Sequence, residues 1–89
     1  GRCRAGHVRV TEARVVLVGK PGCHLCDLAR EVVAAVCRDT GESFREVSLF
    51  DDEELFDRYG ELIPVVLVDG VQHQHWRVDG PRLAAALAR

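Results

Sequence analysis

A short apolar strand that leads directly into a fully patterned helix restricts the fold of this chain more than any other feature. The run Arg14-Val-Val-Leu-Val18 is rich in β-branched residues and does not alternate with polar ones, which is typical of a strand buried on both faces. The turn Gly19-Lys-Pro-Gly22 ends it, and a stripe of apolar residues at helical spacing follows. The members of that stripe are Leu25, Leu28, Ala29, Val32, Val33, Val36 and Cys37. This pattern predicts a sheet covered by helices.

The middle of the chain predicts a second strand and a second helix. Residues 43–49 form the strand, so that strand, helix and strand would make a parallel pair joined by a crossover. The acidic run at 51–54 predicts the start of the helix, because negative charge is favoured at that end of the helix dipole. Gly60 predicts the end of this helix. Its inward-facing residues are predicted to be Leu55, Phe56 and Tyr59.

The last third of the chain predicts a hairpin and a final helix. Residues 63–68 and 71–76 flank Asp69-Gly70, a dipeptide that strongly favours a two-residue hairpin turn. Asp79 is the predicted N-cap of a helix with Pro81 in its first turn. The order is therefore βαβαββα. We expect an α/β domain with a four-stranded mixed sheet and helices on both faces.

Length and composition indicate one small domain. The chain of 89 residues leaves no room for a second core, and we assign 1–89 to a single domain in which 1–12 form a loose N-terminal extension. A formal charge of −2 argues against binding nucleic acid or an anionic membrane through bulk positive charge. No apolar run approaches the ~20 residues of a membrane span, and no signal sequence is evident. We therefore expect a cytoplasmic protein.

A C-x-x-C motif at the predicted start of the first helix carries the chemistry. Cys23 follows the Pro-Gly turn, and Cys26 comes about one helical turn later. Thiols at a helix N-terminus can have their pKa lowered from ~8.5 to ~3.5–7.5, which makes them nucleophilic at neutral pH. Attack by Cys23 would form a mixed disulfide that Cys26 resolves. His24, between them, would further favour the thiolate if protonated.

Other interpretations of the cysteines stay open. A zinc site needs four ligands, so the single C-x-x-C would need two more, which His73 and His75 could supply. These histidines fit better as solvated residues of an edge strand. Cys23 and Cys26 could also be a buried structural pair. Cys37 lies ~21 Å along the helix from Cys23 and completes the apolar stripe, so we predict a packed core thiol. We predict redox chemistry with no metal, and Cys3 has no assigned role.

The motif Lys20-Pro-Gly-Cys-His-Leu-Cys26, together with Ile63-Pro64, resembles the glutaredoxin-like members of the thioredoxin superfamily. The resemblance extends from about residue 14 to the end of the chain. It implies a minimal thioredoxin-like fold and a thiol–disulfide oxidoreductase with Cys23 as nucleophile and Cys26 as resolving cysteine. It also implies that Lys20 supports the thiolate and that the peptide before Pro64 is cis.

The same resemblance implies a substrate or glutathione groove formed by Ile63, Pro64 and Asp79. Protein or small-molecule disulfides are the expected substrates, with glutathione or a reductase of the thioredoxin-reductase type as reductant. We expect no tightly bound cofactor and leave glutathione open as a co-substrate. The sequence departs from typical glutaredoxins at His24-Leu25 and at Gln74-His75, where glycines usually stand, and is closer to small bacterial glutaredoxin-like proteins. The alternative is a non-catalytic binding module on the same fold, either zinc-holding or an adaptor.

The tryptophan at the end of the predicted hairpin has two interpretations. Trp76 could form a platform for a substrate, or it could cover the edge of the sheet. We favour edge packing, because a large apolar side chain beside a sheet more often buries core surface than binds a ligand.

Overall fold

Residues 13–88, which the computed structural model describes, form four strands, three α-helices and one short 3-10 helix at Leu49–Asp51. The strands are β1 (Val15–Gly19), β2 (Phe44–Ser48), β3 (Val65–Val68) and β4 (Val71–His75). The helices are α1 (His24–Thr40), α2 (Glu53–Tyr59) and α3 (Gly80–Leu87). The predicted order βαβαββα is confirmed. Cys3 and the extension predicted at 1–12 lie outside the described residues.

The sheet has the order β2-β1-β3-β4 and is mixed. β1 and β2 are parallel, whereas β3 is antiparallel to both β1 and β4. Val18 near the end of β1 is opposite Val65 at the start of β3, which in turn is opposite His75 at the end of β4. This register brings three loops to one end of the sheet: the turn before α1, the segment before β3 and the segment after β4.

Apolar clusters on both faces of the sheet form the core, so helices cover both faces as predicted. α1 and α3 cover one face, and α2 covers the other. The buried members of the first cluster are Val15, Leu17, Ala29, Val33, Cys37, Val66, Val68, Leu83 and Leu87. Those of the second are Val18, Leu49, Tyr59 and Val65. Within the described helices, none is both long and apolar enough to cross a bilayer.

The orientation of α2 corrects one prediction. Phe56 is 50 % exposed rather than inward-facing, and its ring lies 6.2 Å from that of Phe50. Leu55 and Tyr59 are four residues apart and share the inner face, whereas Phe56, one position after Leu55, lies to the side of that face. α2 also begins later than predicted, because the side chain of Asp52 caps it by accepting the Glu54 N–H.

The turn between β3 and β4 has the predicted conformation. Asp69 and Gly70 both have left-handed backbones, with φ of 52° and 83°, as expected for a type I′ hairpin turn. Arg14 donates two hydrogen bonds of 3.0 Å to the Asp69 carboxylate. These bonds hold the pKa of Asp69 below its ordinary value. Arg14 also contacts Glu42 at 2.9 Å and the Leu87 carbonyl at 3.1 Å, so it joins four segments at the end of the sheet remote from the cysteines.

Candidate dithiol site

Cys23 and Cys26 lie at the start of α1. Cys23 is the N-cap residue, and its Sγ accepts the backbone N–H of Cys26 at 3.1 Å. The two sulfurs lie at disulfide distance, with Cα atoms 5.1 Å apart. A sulfur in this position takes the place of the oxygen that usually caps a helix, and it satisfies one of the unpaired N–H groups of the first turn.

The two sulfurs differ in their access to solvent. Cys23 is half-buried, whereas Cys26 is only 1 % exposed. Gly19, the last residue of β1, lies directly behind Cys26. A Cβ atom on Gly19 would come within 2.9 Å of the Cys26 Sγ, closer than real Cβ atoms approach other heavy atoms. A disulfide from outside can therefore reach Cys23, while Cys26 faces the protein interior.

The segment before β3 contains a cis peptide between Ile63 and Pro64, as the resemblance predicts. Pro64 is buried, and its carbonyl accepts the Trp76 N–H at 2.9 Å. Within residues 13–88, no backbone hydrogen bond outside the helices and strands involves Ile63. The pairing of Val18 with Val65 places this segment beside the turn that carries Cys23.

Trp76 has an unusual backbone and an exposed ring. Its φ is 64°, in the left-handed region that bulky residues rarely adopt. The indole Nε1 donates to the Glu61 carbonyl at 3.1 Å, and the ring makes an edge contact with His75. Trp76 is 55 % exposed, which is more than edge packing predicts.

An apolar groove lies between the first two turns of α1 and the segment after β4. It has a volume of about 260 Å³. Its lining residues are Leu25, Leu28, Ala29, Val32, Trp76, Arg77 and Val78. Leu25 and Leu28, two members of the predicted apolar stripe of α1, are 42 % and 46 % exposed. The core covers only one side of that stripe near the cysteines.

Lys20 and His24 are both exposed, next to the cysteine motif along the chain. Lys20 follows β1 and lines a shallow polar cavity with Arg30, Glu46 and Ser48. His24 is the first residue of α1. Their assignment to thiolate stabilisation stays a prediction.

Asp79 caps α3, as predicted, because its Oδ1 accepts the Arg82 N–H at 3.0 Å. The Gln74 side chain fixes the backbone of Asp79 from β4. Its Oε1 accepts the Asp79 N–H at 2.8 Å, and its Nε2 donates to the Asp79 carbonyl at 3.1 Å. Gln74 is 7 % exposed and was missed by the sequence analysis. A polar residue in a polar stretch gives no signal that its amide is buried.

Within residues 13–88, one further cysteine and two further histidines bear on the metal interpretation. Cys37 is 2 % exposed in the core, where burial, with the nearby charge of Glu42, raises the pKa of its thiol. His75 is exposed and His73 is half-buried on β4. In the part of the chain that the structure describes, no group of three or more metal-binding side chains could hold a metal ion. The geometry therefore gives the zinc interpretation no support.

Residues 14–88 match the sequence family described as the glutaredoxin-like domain (DUF836). This chain belongs to that family. The similarity thus covers both cysteines of the C-x-x-C, the cis-proline and all the described helices and strands. The resemblance to glutaredoxin-like proteins is thereby confirmed.

The glutaredoxin-like chain is also similar to individual proteins and to solved structures. The uncharacterized protein Rv0508 of Mycobacterium tuberculosis is 29 % identical over 85 residues, which cover 90 % of this chain and 88 % of the relative. The X-ray structure of protein XcR50 from X. campestris is 34 % identical, with a TM-score of 0.68, and the match covers 83 % of this chain and 95 % of that one. The crystal structure of glutaredoxin (grx-1) from Archaeoglobus fulgidus is 15 % identical, with a TM-score of 0.59. This match covers 94 % of this chain and 99 % of that one. At that identity the last match shows the fold alone, which is the thioredoxin-like fold that was predicted.

Proposed function

We propose that this glutaredoxin-like protein is a thiol–disulfide oxidoreductase that uses Cys23 and Cys26. The observation that carries the proposal is the asymmetry of the pair. Cys23 is accessible and caps α1, whereas Cys26 is buried at disulfide distance from it. An accessible nucleophile with a shielded second thiol is the arrangement that thiol–disulfide exchange needs.

The reaction transfers two electrons from the dithiol to the substrate. The Cys23 thiolate attacks one sulfur of a substrate disulfide, forms a mixed disulfide and releases the other sulfur as a thiolate, which takes up a proton. Cys26 then loses its proton and attacks the Cys23 Sγ. The mixed disulfide breaks, the second substrate thiol leaves, and Cys23 and Cys26 are joined as a disulfide.

Several groups would support the attacking thiolate. The Cys26 N–H already points at the Cys23 sulfur, and a hydrogen bond to the charged form stabilises it. The positive end of the α1 dipole acts in the same direction. We assign Lys20 to the same role through its positive charge, and His24 to the same role in its protonated form.

The substrate groove is assigned to Ile63, Pro64 and Asp79. The Ile63 backbone, beside the cis-proline, would pair with an extended substrate. The second carboxylate oxygen of Asp79, which the α3 cap does not use, would contact it. Substrates would be protein or small-molecule disulfides.

A second reaction must return the electrons. Two molecules of a thiol such as glutathione, or a dithiol protein of the thioredoxin-reductase type, would reduce the disulfide between Cys23 and Cys26 and would themselves be oxidised. Glutathione would thus act as a co-substrate without being tightly bound. This cycle needs a reducing compartment, so we propose the cytoplasm.

Substitution of each cysteine tests the proposal. We expect Cys23→Ser to abolish reduction of 2-hydroxyethyl disulfide. Cys26→Ser should retain mixed-disulfide formation and, if a glutathione route operates, turnover with glutathione. Cys37→Ala is the matched control, because it removes a buried thiol outside the site, and it should keep the activity of the parent. Full activity in Cys23→Ser would refute the proposal. If the purified parent protein held a metal ion, and Cys23 and Cys26 did not form a disulfide under oxidising conditions, a binding module would be favoured.

A further inference from the structure

We infer that the apolar groove beside Cys23 selects polypeptide disulfides in which an apolar side chain neighbours the reacting cysteine, with Trp76 as the residue that determines this specificity. The inference rests on the proposed function and names its substrate class. The groove is the one lined by Leu25, Leu28, Val32, Trp76 and Val78.

The first support is apolar surface on α1 that the core does not use. Leu25, Leu28 and Val32 follow one another at helical spacing on one face. Both leucines remain more than 40 % exposed, although the same helix buries Ala29 and Val33 completely or nearly so. Single exposed leucines need no explanation, whereas adjacent ones that face an exposed tryptophan across a groove indicate a binding surface.

The second support is the position of the groove. Leu25 lies between the two cysteines in the chain, and Trp76 donates its N–H to the carbonyl of Pro64. One wall of the groove is therefore attached to the dithiol motif and the other to the cis-proline segment. A substrate whose disulfide reacts at Cys23 would therefore place a neighbouring side chain at this groove.

The third support is that Trp76 is held in place. A left-handed backbone is strained at a bulky residue and persists only where its surroundings impose it. Here the backbone N–H is bonded to Pro64 and the indole to Glu61. The exposed ring is thus a fixed wall of the groove, and such preorganisation reduces the entropy lost on binding.

Chemistry and size decide between a polypeptide and glutathione. Glutathione carries two carboxylates and one ammonium group and has no apolar side chain beside its cysteine. Among the residues that line the groove, Arg77 is the one ionisable group. The volume of about 260 Å³ is below the roughly 300–1,000 Å³ of sites that enclose whole small ligands. The groove therefore fits one or two apolar side chains of a peptide.

The test compares two peptides in single-turnover reduction by the fully reduced protein. The probes are the symmetrical disulfides of acetyl-Gly-Leu-Cys-Leu-Gly-amide and acetyl-Gly-Ser-Cys-Ser-Gly-amide, with 2-hydroxyethyl disulfide and glutathione disulfide as references. Each turnover converts one substrate disulfide into two thiols and one protein dithiol into its disulfide. We expect the leucine peptide to react roughly tenfold faster than the serine peptide, a discrimination typical of a hydrophobic pocket.

Variants connect that preference to the groove. Leu28→Ser and Trp76→Asn should each reduce the ratio of the two peptide rates to less than about threefold, since asparagine tolerates a left-handed backbone. Phe50→Ser is the matched control: it removes a side chain that is 67 % exposed and lies outside the groove, and it should keep the parental ratio.

The failures of the two proposals are distinguishable. If no probe is reduced, the oxidoreductase proposal fails and the inference fails with it. If 2-hydroxyethyl disulfide is reduced but both peptides react equally, only the inference is overturned. It is also overturned if both groove variants keep the parental ratio, or if glutathione disulfide reacts as fast as the leucine peptide. A failure of Trp76→Asn to fold would leave the decision to Leu28→Ser.

Discussion

Gly19 leaves room for the more buried of the two reactive sulfurs, because a Cβ atom at this position would come within 2.9 Å of the Cys26 Sγ. In the oxidised protein, Cys26 Sγ is bonded to Cys23 and has no freedom to move away from a new methyl group at position 19. In the reduced protein, the thiol can rotate about its Cα–Cβ bond. A side chain at this position should therefore destabilise the disulfide more than the dithiol.

Gly19→Ala is expected to make the disulfide between Cys23 and Cys26 easier to reduce. Overpacking typically costs about 1–3 kcal/mol, and 1.4 kcal/mol corresponds to roughly 30 mV for a two-electron couple. We expect the midpoint potential to become less negative by about 20–60 mV, measured by thiol counting across glutathione redox buffers. The reduced form is the internal control, because its urea midpoint should fall less than that of the oxidised form. An unchanged potential would show that Cys26 does not rest against Gly19.

At the scale of elements, one buried glutamine connects the edge strand to the last helix. Gln74 of β4 makes both of its amide hydrogen bonds to the backbone of Asp79, the residue that caps α3. The bonds fix the segment that carries Trp76 and Val78. The geometry of the groove thus depends on a side chain that does not line it.

Gln74→Ala should destabilise the protein by about 1–3 kcal/mol, because it leaves the partly buried Asp79 N–H without its partner and the Asp79 carbonyl with only its bond from the Leu83 N–H. Urea unfolding of the reduced protein measures this. Gln72→Ala is the matched control on the same strand: Gln72 is exposed, and its loss should change stability by less than about 0.5 kcal/mol. Equal effects of the two substitutions would contradict the role given to Gln74.

The elements themselves were largely predictable, since each has a local signal. The β-branched run predicted β1, Asp69-Gly70 predicted the hairpin, and Asp79 predicted the start of α3. The sequence also predicted the C-x-x-C at a strand-to-helix junction. It did not predict which part of an apolar stripe is covered, because that depends on the distant segment packed against the helix. Phe56 and Leu28 both look like core residues by spacing, yet nothing in the described fold covers them completely.

At the scale of the whole molecule, Arg14 joins the start of β1 to the end of α1, the hairpin turn and the end of α3. It contacts Glu42, Asp69 and the Leu87 carbonyl. No local pattern predicts this cluster, since its members are up to 73 positions apart. The arrangement makes the acid stability of the fold depend on Asp69.

Asp69→Asn should lower the free energy of unfolding at neutral pH. The free energy of unfolding of the variant should then fall less steeply in acid than that of the parent. The folded pKa of Asp69 lies below its ordinary value of 3.8 because of the hydrogen bonds from Arg14. Its stabilising effect is therefore complete above pH ~4 and is lost as the pH falls through the lower, folded pKa. Urea unfolding at a series of pH values should show the difference between parent and variant constant above about pH 5 and shrinking below about pH 4. Asparagine suits the left-handed backbone of position 69, so the turn itself is conserved. A difference that does not depend on pH would show that the ion pair is not the cause.

The bond between Arg14 and the Leu87 carbonyl also brings the two ends of the fold together. α1, with 17 residues, spans roughly 25 Å from Cys23 to this place. A tether attached to either end would therefore leave from the pole opposite the dithiol. If another domain or an electrode surface were attached at the start of β1 or at the end of α3, the protein would present Cys23 outward.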